Sequence, residues 1–200
     1  MSFQKIEKYE PKNIVLGKVE DKYVKFFLKG VDGNLDKITF QLPIMRIVFD
    51  IEEKKTRDGR VFVKNVSVST KETGSDNNKK RIQILRSKIE KTEEYIRRLL
   101  PEGLQSKTFL TSMWQGKNTD FSPVFKASLN YKNDECSAGV FDEDNSPIDN
   151  NTLEKGQYVS MAITLDKLWV WNDKIGLNWE VNQIKIHNEP EKKKMSIRSE

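Results

Sequence analysis

The sequence predicts a mainly β protein with one long amphipathic helix inserted between strands. Three observations carry that reading. Many short runs alternate apolar and polar residues with the two-residue period of a half-buried strand, and Gly, Asn, Asp or Pro punctuates them. One stretch, Ile82 to Leu99, instead repeats its apolar residues at spacings of three and four, the period of a helix. The stretch from Gln157 to Ile186 reads as a bent antiparallel meander, and bent meanders close into small barrels.

The meander is the most ordered of these signals. Val159, Met161, Ile163 and Leu165 alternate with smaller or polar residues, and Leu168 to Trp171 follows directly. Asn172-Asp173-Lys174 supplies turn chemistry, because Asn and Asp tolerate left-handed backbone angles. The last strand carries Ile175, Leu177, Trp179 and Val181 on one face, whereas Ile184 and Ile186 fall on the opposite parity, so a bulge is expected near Asn182-Gln183. Three successive strands result. Trp179 reads as core, and the pattern leaves open whether Trp169 and Trp171 fill the core or lie exposed.

Earlier in the chain, residues 1–13 are polar and read as an arm or a loose first strand. Ile14 to Val19, Tyr23 to Leu28 and Lys37 to Leu42 are expected strands, with Phe26, Phe27 and Phe40 in the core. Met45, Ile47, Phe49 and Ile51 share one strand face, and Val61, Val63, Val66 and Val68 return, with a parity change that hints at a bulge. Asp58-Gly59 is the dipeptide that short hairpin turns favour. The tip of that finger gathers Lys54, Lys55, Arg57, Arg60 and Lys64, diluted by Glu52, Glu53 and Asp58.

Asp76-Asn77-Asn78 are candidate N-caps for a helix of about residues 79–100, which stops at Pro101 and Gly103. Its outward face is basic, which fits either plain solvation or a phosphate-facing stripe, and its heptad-like spacing leaves a homodimer seam open. Beyond it, Thr108 to Trp114 is a strand, and a polar loop places Lys117 between Trp114 and Phe121. In Val124 to Tyr131, Val124, Lys126, Ser128 and Asn130 form a face polar enough for solvent or ligand, with Lys132 at the strand end. Cys136 to Phe141 reads as its return strand, and the acidic turn Asp142 to Asn145 would repel phosphate. Residues 187–200, with Lys192-Lys193-Lys194, are expected to form a disordered basic tail.

Composition narrows the function. Two hundred residues, 36% apolar and 32% charged, suit one domain spanning residues 14–186. A net charge of +5 favours an acidic partner, of which nucleic acid is the commonest. Cys136 and His187 are the sole cysteine and histidine, so neither an intrachain disulfide nor a Cys/His zinc site can form. Glycine-rich phosphate loops and dinucleotide fingerprints are absent, and the carboxylate pairs sit in turns where acidic residues are expected anyway. The reading is therefore of a protein that is not an enzyme, with no catalytic residue, metal or cofactor. Without a membrane span or the apolar core of a signal peptide, an intracellular protein is expected.

The run LWVWNDKIGLNWEVNQIKI, with the preceding SPVFKASLNY and the intervening GVFDEDNSPI, resembles the C-terminal part of the single-stranded-DNA-binding proteins of nucleocytoplasmic large DNA viruses. It resembles more distantly those of some bacteriophages. The resemblance implies an OB-like antiparallel barrel with extra N-terminal strands that coats exposed single strands during replication, recombination or repair. The expected partner is single-stranded DNA, with RNA left open. Basic residues would track phosphates while aromatic rings stack on bases. The candidate site residues are Arg57, Arg60, Trp114, Lys117, Phe121, Lys126, Lys132, Trp169, Trp171 and Lys174. About four phosphate contacts would give a log-log salt slope of about −3. The alternative is a non-catalytic interaction module of a viral replication or virion complex.

Overall fold

The computed structural model describes residues 4–30, 32–117, 120–132 and 135–189. It is mainly β with one long helix, the class expected. In chain order the strands before the helix are β1 (Gln4–Lys5), β2 (Ile14–Glu20), β3 (Tyr23–Lys29), β4 (Leu35–Asp36), β5 (Ile38–Gln41), β6 (Met45–Ile47), β7 (Glu52–Lys55) and β8 (Val61–Ser69). Helix α1 (Asp76–Leu99) and the short α2 (Glu102–Gln105) follow. The chain then forms β9 (Thr108–Leu110), β10 (Met113–Trp114), β11 (Val124–Lys132), β12 (Glu135–Cys136), β13 (Gly139–Phe141), β14 (Tyr158–Trp171) and β15 (Lys174–His187).

The sheet is built on β14 and β15. Where the sequence suggests three strands there are two, because Leu165 and Leu168 belong to one strand whose register shifts between Leu165 and Lys167. That shift lets the strand bend without ending. A second shift opposes Ala162 to Gln183 and Ile163 to Val181, which leaves Asn182 as the extra residue, at the bulge expected there. Its amide reaches across to Thr164 at 2.8 Å. Asn172, φ 53°, makes the turn.

Each long strand carries three short partners on its free edge. β14 pairs in succession with β6, β5 and β3. β15 pairs with β13, β11 and β9, all parallel. Antiparallel β6–β8 and β8–β11 ladders complete the circuit, so the path β14-β6-β8-β11-β15 returns to β14. Among the described residues β11 meets β15 through one residue pair, Ser128 and Glu180. The expected return strand after β11 is divided, since Glu135–Cys136 folds back on β11 while Gly139–Phe141 runs along β15.

The core is filled by Trp179, Tyr9, Phe40 and Phe125 among its largest buried side chains. Trp179 lies 5.5 Å from the Phe40 ring and 6.0 Å from Phe125, centroid to centroid. Phe26 is core as expected, but Phe27 falls on the other face of β3 and is half-buried, its ring over Gly17, where a Cβ would come within 2.6 Å. The stretch read as an arm or a loose first strand supplies β1, which runs parallel to β5, and puts Ile6, Tyr9 and Pro11 into the interior. They are stapled along α1 by Arg81 to Glu7 at 3.0 Å, Lys88 to Glu10 at 2.9 Å and the Tyr9–Thr92 hydroxyl pair at 2.9 Å.

Helix α1 begins three residues before the expected start, because Ser75, not one of the three residues after it, accepts from the Asn78 amide at 3.3 Å. Ile82, Leu85, Ile89 and Ile96 are fully buried in the chain's own core, so that stripe is not available as a dimer seam. Several basic residues of its outer face are engaged: Arg86 with Thr70 and Glu72, Arg98 with Glu94, and Arg97 over the Phe109 ring at 4.7 Å. The lysine tail lies outside the described residues, while His187, assigned to that tail by sequence, ends β15 and bonds Ser160 at 2.8 Å.

Candidate nucleic-acid interface

Strand alternation places Phe125, Ala127 and Leu129 of β11 in the core and turns Val124, Lys126 and Ser128 outward. β8 does the same with Asn65 and Ser67, after a bulge at Phe62 where Lys54 opposes Val63 and Lys55 opposes Val61. This two-strand face is the floor of a groove of about 890 Å³. One wall comes from the chain between β6 and β8, through Phe49, Asp50, Glu52 and Lys54. The other comes from the end of the long hairpin, through Trp169, Trp171 and Asn178, and from Leu110, Ser112 and Trp114.

Its rings are held by identifiable contacts. Trp171 is 67% exposed at the hairpin tip. Trp169 lies across Gly176, its cross-strand partner, and a Cβ there would come within 2.5 Å of the ring. Trp114, 55% exposed, packs over Gly116 and meets Phe49 edge to face at 6.2 Å. The buried Glu93 carboxylate of α1 accepts from the Thr111 hydroxyl at 2.8 Å and the Ser112 amide at 2.6 Å, fixing the segment that leads into Trp114. Ser112 in turn accepts from the Trp179 indole at 2.8 Å. Beyond Trp114 the groove continues into a cleft of about 590 Å³ lined by Phe49, Lys71, Lys117 and Phe121. Phe121 is 70% exposed.

Charge in the groove is balanced. Among the described residues its charged lining is Asp50, Glu52, Lys54 and Lys126, whose formal charges cancel. Lys126 donates to Glu52 at 2.7 Å, and Asn65 donates to the same carboxylate oxygen at 3.1 Å. The hydrogen bond from Lys126, and then its charge, hold the Glu52 carboxyl below the usual carboxylate range. The acidic turn Asp142 to Asn145 contributes nothing to the groove lining.

Of the sequence-derived candidates, Trp114, Lys126, Trp169 and Trp171 meet in the groove. Lys117 and Phe121 line the adjoining cleft; Asn118 and Thr119 of the same loop lie outside the described residues. Arg57, Arg60, Lys132 and Lys174 are exposed but line neither. Arg60 is turned onto Asp58 of its own tip at 2.7 Å, Lys132 sits at the far end of β11, and Lys174 lies past the hairpin turn. Phe49 shares a strand face with Met45 and Ile47 in the sequence pattern but is 45% exposed, because β6 ends at Ile47 and the chain bends before β7. Asn65, Ser67 and Ser112 had no sequence signal, being small polar residues in strands or loops.

No protein-family model and no curated protein matches the sequence. Solved structures do match. The single-stranded DNA-binding protein encoded by bacteriophage T7 aligns over 81% of this chain and 98% of its own, with TM-score 0.51 and 12% identity. A C-terminally truncated single-stranded DNA-binding protein from bacteriophage Enc34 aligns over 89% and 96%, with TM-score 0.50 and 12% identity. This chain shares their fold.

Proposed function

We propose that this chain is a sequence-nonspecific single-stranded-DNA-binding protein, without catalytic activity, that serves viral DNA replication, recombination or repair at the site of replication. The observation that carries the reading is the row of accessible rings, Trp171, Trp169, Trp114 and Phe49, along one groove on the β8–β11 face. The strand circuit reads as an OB-like barrel in which β6, β8, β11, β14 and β15 are the first to fifth strands. In OB folds the face of the second and third strands, with the loops joining the first to the second and the fourth to the fifth, binds oligonucleotides. Here those parts are the groove floor, the β6–β8 connection and the Trp171 turn. The named function of the T7 protein supports the same assignment.

Stacking on each exposed ring contributes about 1–3 kcal/mol, and each lysine that meets a phosphate adds about 0.7 to the log-log salt slope. Titrating short DNA and RNA oligonucleotides against indole emission tests the reading, because stacking on Trp114 or Trp171 quenches it. Quenching by single strands and weaker binding of duplex are expected. Equal affinity for duplex, or no response at about 50 mM salt, overturns it. The balanced charge of the groove favours a second reading, a docking module for another protein, in which oligonucleotide leaves the emission unchanged.

A further inference from the structure

Lys126, the cation on the groove floor, is already engaged. Glu52 of β7 reaches it across β8 at 2.7 Å, and Asn65, the register partner of Glu52, steadies the carboxylate at 3.1 Å. Asn65 is itself fixed by Ser128 at 3.2 Å, so one row of side chains across three strands holds the anion over the floor. Both charged groups remain about half exposed, which makes the pair displaceable by a competing anion.

We propose that Glu52 is a specificity-determining residue that excludes double-stranded DNA. The inference rests on the reading of the groove as a single-strand site. A duplex keeps its bases stacked inside and offers the groove only phosphates. Those phosphates meet a carboxylate and a lysine that is already neutralised. A single strand brings free bases to Trp114, Trp169 and Trp171, and that stacking offsets the displacement of Glu52 from Lys126.

The test is Glu52→Gln, measured by titration with single-stranded and duplex oligonucleotides of one length at several salt concentrations. Duplex affinity should rise about two- to fivefold more than single-strand affinity, and the duplex slope should steepen by about 0.9 while the single-strand slope, which already counts Lys126, stays as it was. The double variant Glu52→Gln/Lys126→Gln should lose the gain for duplex, which ties the effect to the pair. Glu52→Gln with duplex affinity and slope as in the unaltered protein, while single strands still quench emission, overturns this proposal alone. Absence of single-strand binding by the unaltered protein overturns the functional reading as well.

Discussion

At the residue scale, the tryptophans divide by burial into two experiments. Trp171 is 67% exposed at the hairpin tip, so Trp171→Ala should weaken oligonucleotide binding by about 1–3 kcal/mol, with the thermal midpoint unchanged. Trp179 is 1% exposed between two phenylalanines, and its replacement by Ala should cost about 3–5 kcal/mol of stability in chemical denaturation. Parity alone could not separate Trp169 and Trp171 from a core position. It reports which side chains share a face, whereas exposure depends on what covers that face, and nothing in these sequences of alternation says so. His187 offers a pH test. Burial, then the charge of Lys185, holds its imidazole below the ordinary value of 6.5, so the folded protein takes up that proton less readily than the unfolded chain. Stability from this source is complete above about pH 6.5 and is lost as pH falls through the lowered value. His187→Gln should flatten the decline of the thermal midpoint across that window.

At the element scale, the helix, the Asp58-Gly59 finger and the bulge at Asn182 were legible because each is written in local period or turn chemistry. The continuity of β14 was not. Its bulge at Asp166 inverts the parity mid-strand, which on paper resembles a strand ending and another beginning. The Lys126–Glu52 pair was equally hidden, since it joins residues 74 positions apart through the β8 ladder. Helix α1, whose basic outer face fits either solvation or a phosphate stripe on sequence alone, also serves the site from behind through Glu93. Glu93→Ala should leave the Ser112 amide without its acceptor, lower stability by about 1–3 kcal/mol, and weaken oligonucleotide binding by loosening the segment that carries Trp114. Thermal unfolding and fluorescence titration of the same variant read both effects.

At the scale of the whole molecule, a net charge of +5 does not translate into a basic groove. The groove offers Lys54 and Lys126, and the adjoining cleft adds Lys71 and Lys117. An oligonucleotide short enough to fill only the groove should therefore give a salt slope no steeper than about −1.4, and one that extends into the cleft should approach about −3. Titrations over a length series measure that change directly. The circuit of strands also has a weakest stitch. Where most neighbouring strands zip together over several residues, β11 and β15 share, among the described residues, a single ladder pair, Ser128 with Glu180. Deuterium should enter the backbone at that junction before it reaches the β8–β11 ladder, and a ligand spanning both sides would slow its entry by clamping the gap shut.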